Sequence, residues 1–69
     1  MRLKKMLDSQ ITFEAARMNA GLTLKEVARR LNVNARTVKR WEAYKATPSV
    51  DHFVGLCRLY GCSVDAIKL

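Results

Sequence analysis

The residues best suited to binding chemistry are the basic side chains of the stretch 35–44. Arg36 and Arg40 are four residues apart, and Lys39 lies between them. In a helix this spacing places all three side chains on one side. A guanidinium group can donate paired hydrogen bonds to guanine O6 and N7 or to phosphate oxygens. The pattern is therefore typical of a nucleic-acid-binding surface, and the simpler alternative is solvated surface charge.

The positive charge of the chain is concentrated around this stretch. The 69 residues carry a net charge of +7, from 13 Lys and Arg against 6 Asp and Glu. Residues 23–47 hold seven of these cations and only two acids, Glu26 and Glu42, as a phosphate-binding surface requires. A chain of this length forms one small domain without room for a deep catalytic cleft. We therefore expect a binding protein and not an enzyme.

Other residues with reactive side chains give weaker signals. His52, Cys57 and Cys62 lack the second Cys pair of a structural zinc site, so we expect no metal. No phosphate-binding loop or nucleophile–base motif is recognisable, and we expect no cofactor. Because the chain has no secretion signal and no apolar run long enough to span a membrane, the cysteines are expected to be free thiols in a reducing cytoplasm.

A first short helix should precede the basic stretch. Thr23 and Glu26 form a capping-box pattern, which predicts that a helix begins at Leu24. Apolar residues then recur at the spacing of one helical stripe: Leu24, Val27, Ala28 and Leu31.

A second helix should follow after a tight turn. Asn32 can end the first helix in the left-handed conformation, and Asn34 can cap a helix over about 35–44. At ~100° per residue, Val38 and Trp41 lie on one side of this helix and its cations on the other. Two short helices with this arrangement form a helix-turn-helix, whose second helix enters the major groove of DNA.

At these positions the sequence resembles the Xre/Cro-like helix-turn-helix domains of phage repressors and related bacterial regulators. The resemblance covers roughly residues 12–69. It implies an all-α, lambda-repressor-like fold and a cytoplasmic transcriptional regulator that binds duplex DNA. Since we expect no effector or protease-cleavage domain in so short a chain, it resembles a Cro-like repressor more than a ligand sensor. The anchors in fixed register are Leu22, Thr23, Glu26, Val27, Ala28, Leu31, Val33, Val38, Trp41, Glu42, Pro48 and Ser49.

Five helices and no strand are expected for the whole domain. Residues 1–11 are predicted to be a basic N-terminal arm, either touching DNA or simply frayed, ahead of a domain over 12–69. Besides the helix-turn-helix pair, we expect helices at 13–19, about 50–60 and about 64–68, capped by Thr12, Ser49 and Ser63.

Position in the second helix and the resemblance together indicate the DNA contacts. Residues at the start of that helix, and one turn later on the same side, are candidates for base contacts: Ala35, Arg36, Thr37 and Arg40. Phosphate contacts or solvated charge remain the alternatives for the two arginines. Flanking residues are candidates for contacts to the DNA backbone: Thr23, Lys25, Asn34, Lys39, Lys45 and Thr47.

The resemblance also implies one structural ion pair. Arg17 and Glu42 match a buried pair of the family, although their spacing alone leaves them as unrelated charges. Trp41 falls on the apolar side of its helix and is expected in the core. The sequence departs from the family at Leu24, where glutamine is frequent, and at Tyr44, where glycine is frequent.

Oligomeric state and the type of partner are the remaining expectations. Val64, Ile67 and Leu69 offer more apolar surface than one short helix needs, which predicts a weak homodimer on a pseudo-palindromic operator. The alternative is that they close the core of the monomer. The rival function is a small protein-interaction module, antirepressor or antitoxin-like, whose cations pair with acidic side chains of a protein partner.

Overall fold

The computed structural model describes residues 10–68, and within them it contains four α-helices and no strand. Predictions for residues 1–9 and for Leu69 lie outside the described residues. The all-α class and the helix-turn-helix are as expected. The helices are α1 (Phe13–Asn19), α2 (Leu24–Leu31), α3 (Ala35–Glu42) and α4 (Val50–Tyr60), followed by a 3-10 helix at Val64–Ala66.

The predicted fifth α-helix is wrong. Val64–Ala66 form only a 3-10 turn, and the side chain of Ser63 makes no cap hydrogen bond. Ile67 is extended and forms an isolated parallel bridge with Ile11. The backbone N–H of Lys68 donates to the carbonyl oxygen of Ile11 at 2.7 Å. The bridge to Ile11 forms backbone hydrogen bonds that a helix of one turn would leave unmade. The extended conformation therefore replaces the helix.

Hydroxyl caps set the starts of three helices. The side chains of Thr12, Thr23 and Ser49 each accept a hydrogen bond from the backbone N–H three residues later, at 3.1–3.2 Å. Glu26 completes the predicted capping box by accepting from the N–H of Thr23 at 2.8 Å. The Glu26 carboxyl accepts hydrogen bonds from the Thr23 backbone N–H and from the Thr23 hydroxyl. These hydrogen bonds hold the pKa of Glu26 below its ordinary value.

The turn between α2 and α3 depends on Asn32. Its φ of 58° lies in the left-handed region, as the turn signal predicted. The expected cap at Asn34 is only half correct, because Asn34 occupies the N-cap position of α3 but its side chain makes no cap hydrogen bond. The start of α3 is therefore positioned by the turn and by packing.

The core lies where the four helices meet, and α2 packs against both α3 and α4. Ile67 is 2% exposed, so it closes the core of the monomer, and its expected place on a dimer surface is wrong. Ala20, at the C-cap position after the last residue of α1, is exposed. The buried apolar residues are Phe13, Ala16, Val27, Ala28, Val38, Trp41, Leu56, Cys57 and Ile67.

Candidate nucleic-acid interface

Helix α3 keeps its cations on the side away from the core. Val38 and Trp41 are 1% and 4% exposed, whereas Arg36, Lys39 and Arg40 are all exposed. The separation follows from the helical period, which alternates packing residues with outward ones over two turns. The structure thus brings the three cations together on one outward face.

The end of α3 extends this face by one more cation. The N–H of Lys45 donates to the carbonyl oxygen of Arg40 at 2.9 Å, which folds the chain back over the last turn. Tyr44 makes this closure possible with a φ of 58°, the conformation that glycine usually supplies at a helix end. We call the depression of about 170 Å³ lined by the following residues the α3 surface: Arg36, Lys39, Arg40, Ala43 and Lys45.

Tyr44 tolerates the left-handed conformation because its side chain is anchored on both sides. Its hydroxyl donates to the carbonyl oxygen of Lys68 at 2.7 Å. Its ring lies 5.7 Å from that of Phe13, measured between centroids. The anchoring role of Tyr44 has no local signal in the sequence, because its contacts with Lys68 and Phe13 join residues 24 and 31 positions apart.

The positive charge of the α3 surface is not neutralised by ion pairs. Among residues 10–68, none of Arg36, Lys39, Arg40 and Lys45 forms a salt bridge; the ion pair that the structure contains there is elsewhere. Exposed cations without carboxylate partners among the described residues form a surface that attracts polyanions.

The other candidate contacts occupy more varied positions. Ala35 and Thr37 are partly buried on the flanks of α3. Thr47 is exposed but lines a separate small depression with Phe13 and Pro48. The remaining backbone candidates, Thr23, Lys25 and Asn34, are exposed at the starts of α2 and α3.

One acidic residue lies closer to the α3 surface than the sequence suggested. Glu14 of α1 lines a depression of about 230 Å³ together with Leu24 and Lys39. No local pattern could predict this neighbourhood, because it arises from the packing of α1 against α3. A carboxylate here reduces the attraction for phosphate on that flank.

Arg17 and Glu42 tie α1 to the end of α3. Arg17 Nε donates to Glu42 Oε2 at 2.6 Å and Nη2 to Oε1 at 3.3 Å, in a two-pronged geometry. Arg17 Nη1 also donates to the carbonyl oxygen of Leu22 at 2.9 Å. The hydrogen bond to Glu42 raises the pKa of Arg17 above its ordinary value, against the opposing effect of burial. The pair fixes the C-terminal end of the helix that carries the α3 surface.

The Tyr60 hydroxyl is a buried group near this ion pair. Within the described residues it has no hydrogen-bond partner. Burial, with a smaller contribution from the charge of Glu42, raises the pKa of Tyr60 to about 12. The phenol therefore stays neutral at physiological pH.

No metal or membrane site is visible in the described part of the chain. Among residues 10–68, no group of three His, Cys, Asp or Glu is placed to hold a metal ion, and no helix is long and apolar enough to cross a membrane. The ring of His52 packs against that of Trp41, with centroids 5.3 Å apart. Cys57 and Cys62 are free thiols, and burial raises the pKa of the Cys57 thiol.

The four helices of residues 10–68, in which a tight turn joins α2 to the exposed basic helix α3, define the class of small helix-turn-helix proteins. A family model described as helix-turn-helix matches residues 13–67. The chain therefore belongs to the Xre/Cro-like helix-turn-helix family. No curated protein and no solved structure matches it significantly.

Proposed function

We propose that this protein is a sequence-specific transcriptional regulator that binds duplex DNA with α3 in the major groove. The observation that carries the proposal is the α3 surface, whose exposed cations are unpaired among the described residues. The major groove of B-DNA is ~12 Å wide and admits one α-helix. The family to which the chain belongs supports the same use of this helix.

The side chains of α3 divide into two roles in this proposal. Arg36 and Arg40 project outward and read base edges, with guanine O6 and N7 as the matching acceptors. Ala35 offers a methyl group to thymine, and Thr37 reads a base from the flank of the helix. Contacts to phosphate come from the residues around them: Thr23, Lys25, Asn34, Lys39, Lys45 and Thr47.

Thr23 illustrates how a capping residue can also contact DNA. Its hydroxyl accepts the cap hydrogen bond from the Glu26 N–H, and on binding DNA its hydrogen turns from the Glu26 carboxylate to a phosphate oxygen. The neighbouring Lys25 adds a charge in the first turn of α2, where the helix dipole favours an anion.

The proposed mode of regulation is that of a phage or bacterial repressor of the Cro-like type, acting in the cytoplasm by occupying an operator. One α3 covers only a few base pairs, so two copies on a pseudo-palindromic site provide the discrimination that one lacks. Ile67 is buried and cannot form the contact between copies, whereas Val64 is 49% exposed and available.

The proposal is tested by the salt dependence of binding to a labelled duplex, measured by fluorescence anisotropy. Each phosphate that a Lys or Arg neutralises contributes about −0.9 to the slope of log affinity against log salt, so four or more contacts predict a slope of about −4 or steeper. Lys39→Glu should flatten the slope, while Lys68→Glu, outside the α3 surface, should change it little. A slope near zero would contradict the proposal and favour the protein-interaction alternative.

A further inference from the structure

A groove between α2 and α4 is separate from the α3 surface. It is lined by Arg30 and Leu31 of α2 and by Gly55, Arg58 and Leu59 of α4, and its volume is about 420 Å³. It is shallow and open to solvent, as suits a side chain docked on a surface. It shares no lining residue with the α3 surface.

Gly55 allows α2 and α4 to approach closely at the floor of this groove. A Cβ atom at this position would lie 2.9 Å from Leu31 Cδ2, so any larger residue would displace the leucine side chain. Glycine in the middle of a helix is unfavourable relative to alanine. The close approach of Leu31 explains why glycine occupies position 55 in α4.

Two arginines give the groove a positive rim. Arg30 and Arg58 are exposed, and within residues 10–68 neither forms a salt bridge or a side-chain hydrogen bond. Glu26 interacts electrostatically with Arg30, but its carboxylate is held on the N–H of Thr23 at 2.8 Å. As far as residues 10–68 are concerned, both guanidinium groups therefore keep their hydrogen-bond donors free.

The floor between the two arginines is apolar. Leu31 and Leu59 are partly exposed, and both also pack against the core. Cations beside exposed leucines complement a surface that carries carboxylates next to an apolar side chain.

The position of the groove argues against DNA as its occupant. Arg30 follows Lys25 by five residues, which places the two side chains ~140° apart around α2. A duplex that contacts Lys25 and the α3 surface therefore meets a different side of α2. A phosphate backbone also has no apolar group to cover Leu31 and Leu59.

We propose that this groove binds an acidic amphipathic segment of another protein. Carboxylates of the segment pair with Arg30 and Arg58, and an apolar side chain packs on Leu31 and Leu59. The groove and the α3 surface do not overlap, so the protein can hold DNA and this partner together. The inference rests on the groove alone and does not depend on the proposed DNA binding.

The test titrates the ¹⁵N-labelled full chain with a synthetic helical peptide that has leucines along one face and glutamates beside them. The amide signals of Leu31, Gly55 and Leu59 should shift saturably. Arg58→Glu should weaken the peptide about fivefold or more, because an attractive charge pair becomes repulsive. Arg29→Glu is the matched control, since Arg29 is also an exposed arginine in the last turn of its helix but does not line the groove. It should change the affinity by less than about twofold.

A second variant separates the apolar contact from the charges. Leu59→Gln keeps the size and charge of the site but removes an apolar side chain from its floor, so it should also weaken binding of the peptide. Because Leu59 also packs against the core, the melting temperature should fall, and the affinity is measured well below it on protein shown to be folded by its amide spectrum. In the titration, the absence of saturable shifts at millimolar peptide, or shifts centred on the α3 surface, would overturn the proposal. Equal weakening by Arg58→Glu and Arg29→Glu, or unchanged affinity of folded Leu59→Gln, would do the same. The proposal would also fail if a short DNA duplex produced the same shifts in the groove.

Discussion

The mostly buried side chains of Arg17 and Glu42 hold the end of α3 in place. The Arg17 and Glu42 side chains are 13% and 9% exposed, so each depends on the other to offset the cost of leaving solvent. Their spacing of 25 residues carries no local signal, which is why only the family resemblance could indicate the pair. By contrast, the outward direction of Arg36 and Arg40 was predictable, because helical spacing is local.

Removing one partner of this pair should destabilise the fold. Glu42→Gln leaves the Arg17 guanidinium without a counter-charge, and we expect the free energy of unfolding to fall by about 2–4 kcal/mol. This is somewhat less than for a fully buried pair, because both side chains remain partly exposed. For a domain of this length the melting temperature should drop by at least roughly 8 °C. Circular dichroism melting measures the change, with Glu14→Gln, an exposed acid on α1, as the control. Equal melting temperatures for the two variants would show that the pair contributes little.

At the scale of the helices, side-chain caps made the starts of α1, α2 and α4 predictable. Ser or Thr three residues before a donor is a local pattern, and the structure forms each of these hydrogen bonds. The fifth helix failed because Ile67 pairs with Ile11. A bridge between residues 56 positions apart leaves no periodicity in the sequence. The capping residue Ser63 therefore predicted a helix that does not form.

The capping box predicts a pH dependence that belongs to α2. The folded state lowers the pKa of Glu26 below the ordinary value of 4.5. A carboxyl with a lowered pKa contributes stability above its unfolded pKa, and this contribution disappears as the pH falls through the folded pKa. Glu26→Gln should therefore be less stable than wild type at neutral pH, and the difference should shrink as the pH falls below 4.5 and through the lowered folded pKa. Urea unfolding across this range measures the difference, and a difference independent of pH would contradict the role of the charge.

At the scale of the whole molecule, the C-terminal segment closes the core over α1. Ile67 is buried, and the Lys68 backbone is bonded on both sides, through its N–H to Ile11 and through its carbonyl to the Tyr44 hydroxyl. The same tyrosine terminates α3 in the left-handed conformation. Tyr44 therefore links the end of the described chain to the end of α3.

Ile67→Asp should accordingly unfold much of the protein. A carboxylate without a partner in the core costs about 4 kcal/mol, a large share of the roughly 3–10 kcal/mol expected for a domain of this length. Lys68→Asp, at an exposed neighbouring position, should melt close to wild type. A folded Ile67→Asp variant with an unchanged melting temperature would show that Ile67 is not part of the core.

Selection of bound duplexes from a random pool tests most directly whether α3 reads sequence. If α3 reads sequence, one enriched motif is expected, pseudo-palindromic with half-site centres ~34 Å apart and bound at least ~10³-fold tighter than a shuffled duplex. Arg36→Ala should lose the preference at one base pair of each half-site while other positions keep theirs. A pool without enrichment, or the same motif selected by the Arg36→Ala, Arg40→Ala double variant, would show that α3 does not read sequence.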